Sequence, residues 1–137
     1  MRVLVDTNIV LDLLLDRAPF SKAATLIFTQ IEQSRVEASL CATTLTTIEY
    51  ILGQSMSAGK ARSTLHRLFE IFDITTVSRS VIHEALQSKM SDFEDAVLAH
   101  SANLAGMDAI VTRNTKDFKH SPVKAFDPEE FLAVLGG

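Results

Sequence analysis

The chain has 137 residues, 47% of them hydrophobic and 22% charged, with a formal net charge of −4. That length gives one ordinary domain, residues 1–137, with a core of its own and no room for a second; the composition excludes a disordered or collagen-like chain. The acidic balance excludes a module that holds nucleic acid mainly by a basic surface, because such binding relies on Lys and Arg neutralising phosphates.

Residues 2–5 are a short apolar run closed by the polar cluster Asp6-Thr7-Asn8, after which Ile9, Leu13 and Leu14 recur at helical spacing: strand, turn, helix. The apolar run from Ile9 to Leu15 is interrupted by Asp12, so neither a signal peptide nor a membrane span is expected. After Pro19 a second helical stripe carries Ala23, Leu26, Ile27 and Ile31, and a strand is predicted over 37–42. That strand holds Cys41, the only cysteine, which reads as a buried small hydrophobe and suits a reducing compartment, so a cytoplasmic location is expected.

Leu45, Ile48, Ile51 and Leu52 make a third helical stripe, ended near Gly53. A helix over 61–72, a strand over 74–77 and a helix over 81–89 follow, and the basic group Lys60, Arg62, His66 and Arg67 reads as a solvated face. Ser91-Asp92 opens the next helix with a capping-box pattern to Glu94, and Ala96, Ala99 and Ala102 carry it to Gly106. A strand over 109–112 leads into a loop with Asn114 and Asp117, then an extended piece over 123–126 and a last helix with Pro128 in its first turn. Strands alternating with helices imply an α/β fold whose mostly parallel sheet is covered on both faces.

In such a sheet, ligand sites form beyond the carboxyl ends of the strands. Asp6 follows the first strand, Asp117 lies in the loop after the strand ending at Thr112, and Glu49 and Asp95 sit in early turns of helices. Taken singly, each has a plain structural role. Asp6 can cap a helix, Glu49 can return a capping box to Thr46, Asp95 can favour a helix dipole, and Asp117 can stabilise a turn. Together they are costly, since clustered carboxylates resist joint ionisation unless protons or cations compensate. Hard oxygen ligands in that number suit Mg2+ or Mn2+, and such a site can generate a hydroxide and stabilise the leaving oxygen of a phosphodiester. Asp92, three residues before Asp95, reads first as a cap and second as an outer carboxylate of the same site.

Val-Leu-Val-Asp6-Thr7-Asn8, Thr-Leu-Thr-Thr-Ile-Glu49, Asp92-Phe-Glu-Asp95-Ala and Ile-Val-Thr112-Arg113-Asn114-Thr-Lys-Asp117-Phe118 resemble the successive motifs of PIN domains, in order and spacing, over nearly the whole chain. The resemblance implies a three-layer α/β/α nuclease that cuts single-stranded RNA with Mg2+ or Mn2+. By motif, Asp6, Glu49 and Asp95 match the family's three most dependable acids and Asp117 a fourth, more variable one. Asn8, Thr112 and Asn114 match polar positions that line such sites. Many bacterial members of this size are toxins of toxin–antitoxin pairs, restrained by a small antitoxin protein and commonly homodimeric.

Two further expectations follow. Arg113 and Lys116, just past the strand that delivers Thr112, are expected to contact RNA phosphates. Leu65, Leu68, Phe69, Ile71, Phe72 and Ile74 exceed what one helical face buries, which, with the resemblance, points to a homodimer and to apolar surface for an antitoxin segment. Other readings are weaker. An aspartyl-phosphate enzyme would want an acid at position 8, where Asn8 stands, and neither a Gly-rich dinucleotide turn nor a P-loop is present. A PIN-like interaction module without activity would have no use for the carboxylate set.

Overall fold

The computed structural model describes residues 1–136. Five strands, β1 (Arg2–Val5), β2 (Glu37–Cys41), β3 (Asp73–Thr75), β4 (Ala109–Val111) and β5 (Ala125–Phe126), form one sheet in the order β3-β2-β1-β4-β5, with every pairing parallel. Seven helices connect them: α1 (Thr7–Leu14), α2 (Ser21–Glu32), α3 (Ala42–Gly53), α4 (Ala58–Ile71), α5 (Arg79–Gln87), α6 (Phe93–Leu104) and α7 (Pro128–Gly136), with a short 3-10 helix at Thr115–Phe118. This is the three-layer α/β/α arrangement that the alternating pattern predicts.

The pleat divides the core. Val3 and Val5 of β1 join Leu40 of β2 and Val111 of β4 on one face, where α1 to α4 and Phe131 of α7 cover them. Leu4, Cys41 and Ile110 face the other way, under α5 and α6. Neighbouring residues of one strand thus enter different apolar layers, which pins the register, because a one-residue slip would exchange the layers. Cys41 is buried, as expected of a small hydrophobe. Among the described residues no helix is long and apolar enough to cross a membrane.

The chain moves outward from β1 to β2 and β3, then returns past β1 to β4 and β5. The order therefore reverses between β1 and β4, and in an open parallel sheet the crevice lies beyond the carboxyl ends of the strands at such a reversal. Val5 pairs with Val111 in register, so Asp6 and Thr112 emerge side by side.

Several boundaries differ from the sequence reading for local reasons. In α2 the inward stripe is Ala24, Ile27, Phe28 and Ile31, while Leu26 is 46% exposed. The helix is rotated because Phe28 meets Phe72 edge to face at 5.4 Å between centroids. α3 starts at Ala42, directly off β2, so Thr46 lies inside the helix, donates to the Thr43 carbonyl at 2.8 Å, and forms no capping box with Glu49. Glu49 accordingly sits in the second turn of α3. α6 is capped by Asp92, one residue later than the Ser91–Glu94 pattern. The third strand shifts to Asp73–Thr75, where Ser101 of α6 bonds to the Thr75 hydroxyl and donates to the Thr76 carbonyl, both at 2.7 Å.

Candidate metal centre

Asp6 ends β1 and caps α1, a double duty made possible by its extended backbone (φ −69°, ψ 153°). Its Oδ1 accepts the Thr7 N–H at 2.7 Å, and its Oδ2 accepts the Thr112 hydroxyl at 2.7 Å and the Asn8 amide at 3.2 Å. Thr112 in turn accepts the Asn114 backbone N–H at 3.1 Å, and Asn8 Oδ1 accepts the Arg113 backbone N–H at 3.4 Å. The carboxylate is buried, and burial pushes its pKa up, opposed in part by the bonds from Thr112 and Thr7. The result is one rigidly oriented acid at the bottom of the crevice, with Thr112 and Asn8 as its immediate supports.

Asp95 lies in the first turn of α6, with its backbone N–H donated to Asp92 Oδ1 at 2.9 Å. Its carboxyl is pushed up to about 7, first by burial and then by the charges of Asp6, Asp92, Asp117 and Glu94. Asp117 reaches this group from the 3-10 helix, which packs on α6. Asp6, Asp92, Glu94, Asp95 and Asp117 therefore form one electrostatic group where β1, β4 and the start of α6 meet. Glu49, half-buried on α3, is not among the charges acting on either Asp6 or Asp95. α3 is nevertheless tied to the site at its own start, where the Thr44 and Thr7 hydroxyls bond at 2.9 Å.

The two basic residues predicted to meet substrate are placed differently. Lys116 is exposed on the 3-10 helix. Arg113 turns beneath α1, where its Nε and Nη2 donate to the two oxygens of Asp12 at 2.6 and 3.2 Å, and its guanidinium stacks 3.9 Å over the Phe20 ring. Asp12 is 1% exposed, and Arg17 Nη1 approaches its Oδ1 at 3.8 Å. Two residues that frame the site thus escaped the sequence reading. In the sequence Asp12 shows only as an interruption of an apolar run, although a charge within a buried stripe demands a partner. Glu94 shows in the sequence only as a capping partner, although its charge is the one that raises the Asp6 carboxyl.

The donor set is all oxygen and strongly anionic, which in chemistry fits a hard divalent cation. In spacing it is looser: among the described residues no three His, Cys, Asp or Glu side chains stand close enough together to hold one metal ion as they are placed.

A family model described as PIN domain matches residues 2–116. A search of the curated proteins finds no match. Among solved structures, the VapBC2 complex of Rickettsia felis bound to a DNA fragment from its promoter is similar with a TM-score of 0.67 and 17% identity, over 93% of this chain and 98% of that one. A toxin–antitoxin complex from Klebsiella pneumoniae is similar with a TM-score of 0.69 and 23% identity, over 92% and 97%. VapBC-1 from nontypeable Haemophilus influenzae gives 0.71 and 15%, over 94% and 99%. At these identities the likeness is one of fold.

Proposed function

The chain belongs to the PIN domain family, and from that premise we propose that it is a Mg2+- or Mn2+-dependent endoribonuclease acting on single-stranded RNA, with Asp6, Glu49, Asp95 and Asp117 holding the metal. The observation that carries the reading is Asp95, whose carboxyl burial first, and then four neighbouring carboxylates, push up to about 7, with no Lys or Arg among the described residues in an ion pair with it. Negative charge packed in that way is stable only when protons or cations reach it.

Divalent ions bound there would supply an activated water and offset charge on the phosphodiester. The chain's own part is to orient and to exclude. Asp6 is fixed by Thr7, Asn8 and Thr112, so its lone pairs point in a set direction, and such supports tune a ligand as much as the ligand itself. Asp92 holds the start of α6 in register, and Lys116 stands exposed where a phosphate would pass. The looser spacing suits Mg2+, which keeps several waters, better than a cage of direct ligands. Glu49 is the member whose role rests on motif alone.

The test is cleavage of single-stranded RNA by the purified chain with Mn2+ or Mg2+. Asp6→Asn and Asp95→Asn are each expected to lower the rate about 100-fold or more. Cleavage that survives exhaustive EDTA would sink the metal mechanism. The same assay separates the second reading, an interaction module without catalysis, which the wide spacing of the acids favours and which predicts no cleavage under any condition.

One of the similar solved structures, from Klebsiella pneumoniae, is a toxin–antitoxin complex, and we extend that to a small antitoxin protein as this chain's partner, in the cytoplasm. Growth arrest on expression of the native chain but not of Asp6→Asn supports the toxin role; equal growth removes it.

A further inference from the structure

A cavity of about 460 Å3 is lined by Pro19 and Phe20 of the α1–α2 connection, Ala23 of α2, Arg113, and Asp127, Pro128 and Glu129 at the start of α7. That size falls within the usual range for small-molecule sites, about 300–1,000 Å3. We infer that this cavity is a nucleobase subsite of the RNA-binding surface and that the base it selects is guanine. The inference rests on the nuclease reading above and adds to it where the strand goes after leaving the acids.

Two properties of the cavity carry it. The first is stacking. Phe20 remains 42% exposed even with the Arg113 guanidinium against it, so aromatic surface is left for a ligand, and unstacked RNA bases are received on aromatic rings and Arg planes. The Asp12 pair holds that guanidinium in place before any ligand arrives, which makes the stack a preformed wall. The second is the polar edge. Asp127 spends Oδ1 on the Glu130 N–H at 2.8 Å, which leaves Oδ2, and Glu129 is exposed beside it. Ionised carboxylates only accept, so the edge they recognise must donate. Guanine alone among the four bases presents two adjacent donors, N1–H and N2–H, on its Watson–Crick edge. A phosphate is the wrong ligand for this wall, since both carboxylates would repel it.

The position suits the reading. Arg113, in the cavity wall, directly follows Thr112, whose hydroxyl donates to Asp6 at 2.7 Å, so one loop joins the cavity to the acid at the bottom of the crevice.

The probes are the four ribonucleoside 5′-monophosphates, titrated against the native chain by calorimetry, a readout that needs no cleavage. Guanosine monophosphate is expected to bind about tenfold or more tighter than the adenosine, cytidine and uridine forms, the scale of one well-made stack and edge. Phe20→Leu, which keeps apolar bulk but removes the ring, is expected to weaken it about tenfold, and Glu129→Gln is expected to narrow the preference for guanosine. Equal affinities for all four, or a guanosine preference untouched by both substitutions, overturns the inference. Absence of RNA cleavage with guanosine binding intact would instead overturn the nuclease reading alone.

Discussion

Asp95 makes the site sensitive to pH in a direction that can be worked out. Its carboxyl rises from 3.8 to about 7 on folding, so the folded chain holds that proton more tightly than the unfolded one. Stability from this group is therefore full below about pH 4 and is lost as pH climbs through about 7. Asp95→Asn is expected to raise the melting temperature of the metal-free protein at pH 8 and to leave it nearly unchanged at pH 4; a variant melting lower than the native chain at pH 8 contradicts the repulsion. Metal must displace the same proton, so Mn2+ affinity should strengthen between pH 6 and pH 8 in the native chain, which titration at the two pH values measures. Asp6→Asn differs, because it would set an amide donor against the Asn8 amide and lose an acceptor for Thr112, which offsets the relief from burial.

Arg113 has a structural duty that any binding experiment must separate out. Arg113→Ala would strand Asp12, buried and left with Arg17 at 3.8 Å, and is expected to cost about 3 kcal/mol in urea denaturation, as breaking a buried pair does. Adding Asp12→Leu to that variant should recover much of the loss, since the unpaired charge goes with it. No recovery would mean that the stack on Phe20, not the ion pair, is what Arg113 provides. At this scale the places of Asp6 and Asp117 just past strands and of Asp95 at a helix start were legible, whereas Glu49 stands in the second turn of α3, outside the charges acting on Asp6 and Asp95. What hid Asp12 and Glu94 is that each fits a local explanation, and only tertiary neighbours assign the rest.

Among the elements, helix starts were read better than helix faces. Asp127-Pro128 does open α7, with Asp127 Oδ1 accepting the Glu130 N–H and Glu130 Oε1 accepting the Asp127 N–H, a reciprocal box written in adjacent residues. The inward face of α2 was misread because Ala23 and Leu26 keep helical spacing as well as Ala24 and Phe28 do, and the choice is made by Phe72, more than forty residues further on. The start of α4 was missed by three residues because Ala58-Gly59-Lys60 has no apolar period. Ser57 sets it through its hydroxyl, which accepts the Lys60 N–H at 3.2 Å. Ser57→Ala is expected to lower stability by about 1 kcal/mol with no change in RNA cleavage, measured on the same preparation.

Across the whole molecule, the apolar excess noted over 65–74 is divided. Leu68 and Phe72 are buried, Leu65 and Ile74 pack partly against the core, and Phe69 (66%) and Ile71 (38%) remain exposed. Tyr50 on the neighbouring α3 is 67% exposed. Sedimentation at micromolar concentration is expected to show a dimer in the native chain and a shift toward monomer in Phe69→Ser; a monomer in both removes the proposed self-association.

The order of the strands has a temporal side. The bond from the Thr112 hydroxyl to Asp6 joins residues 106 apart in sequence, and β4 is the strand that brings them together. At a synthesis rate of about 5–20 residues per second, Asp6 leaves the ribosome roughly 5–20 seconds before Thr112 can reach it. During that interval β1 has β2 on one side only, and the carboxylate that caps α1 lacks its hydroxyl donor and the neighbouring acid of the 3-10 helix. The acid group is therefore assembled only once β4 and the 3-10 helix have emerged, and a truncation ending before Ala109 is expected to bind no Mn2+ at the concentrations that saturate the full chain.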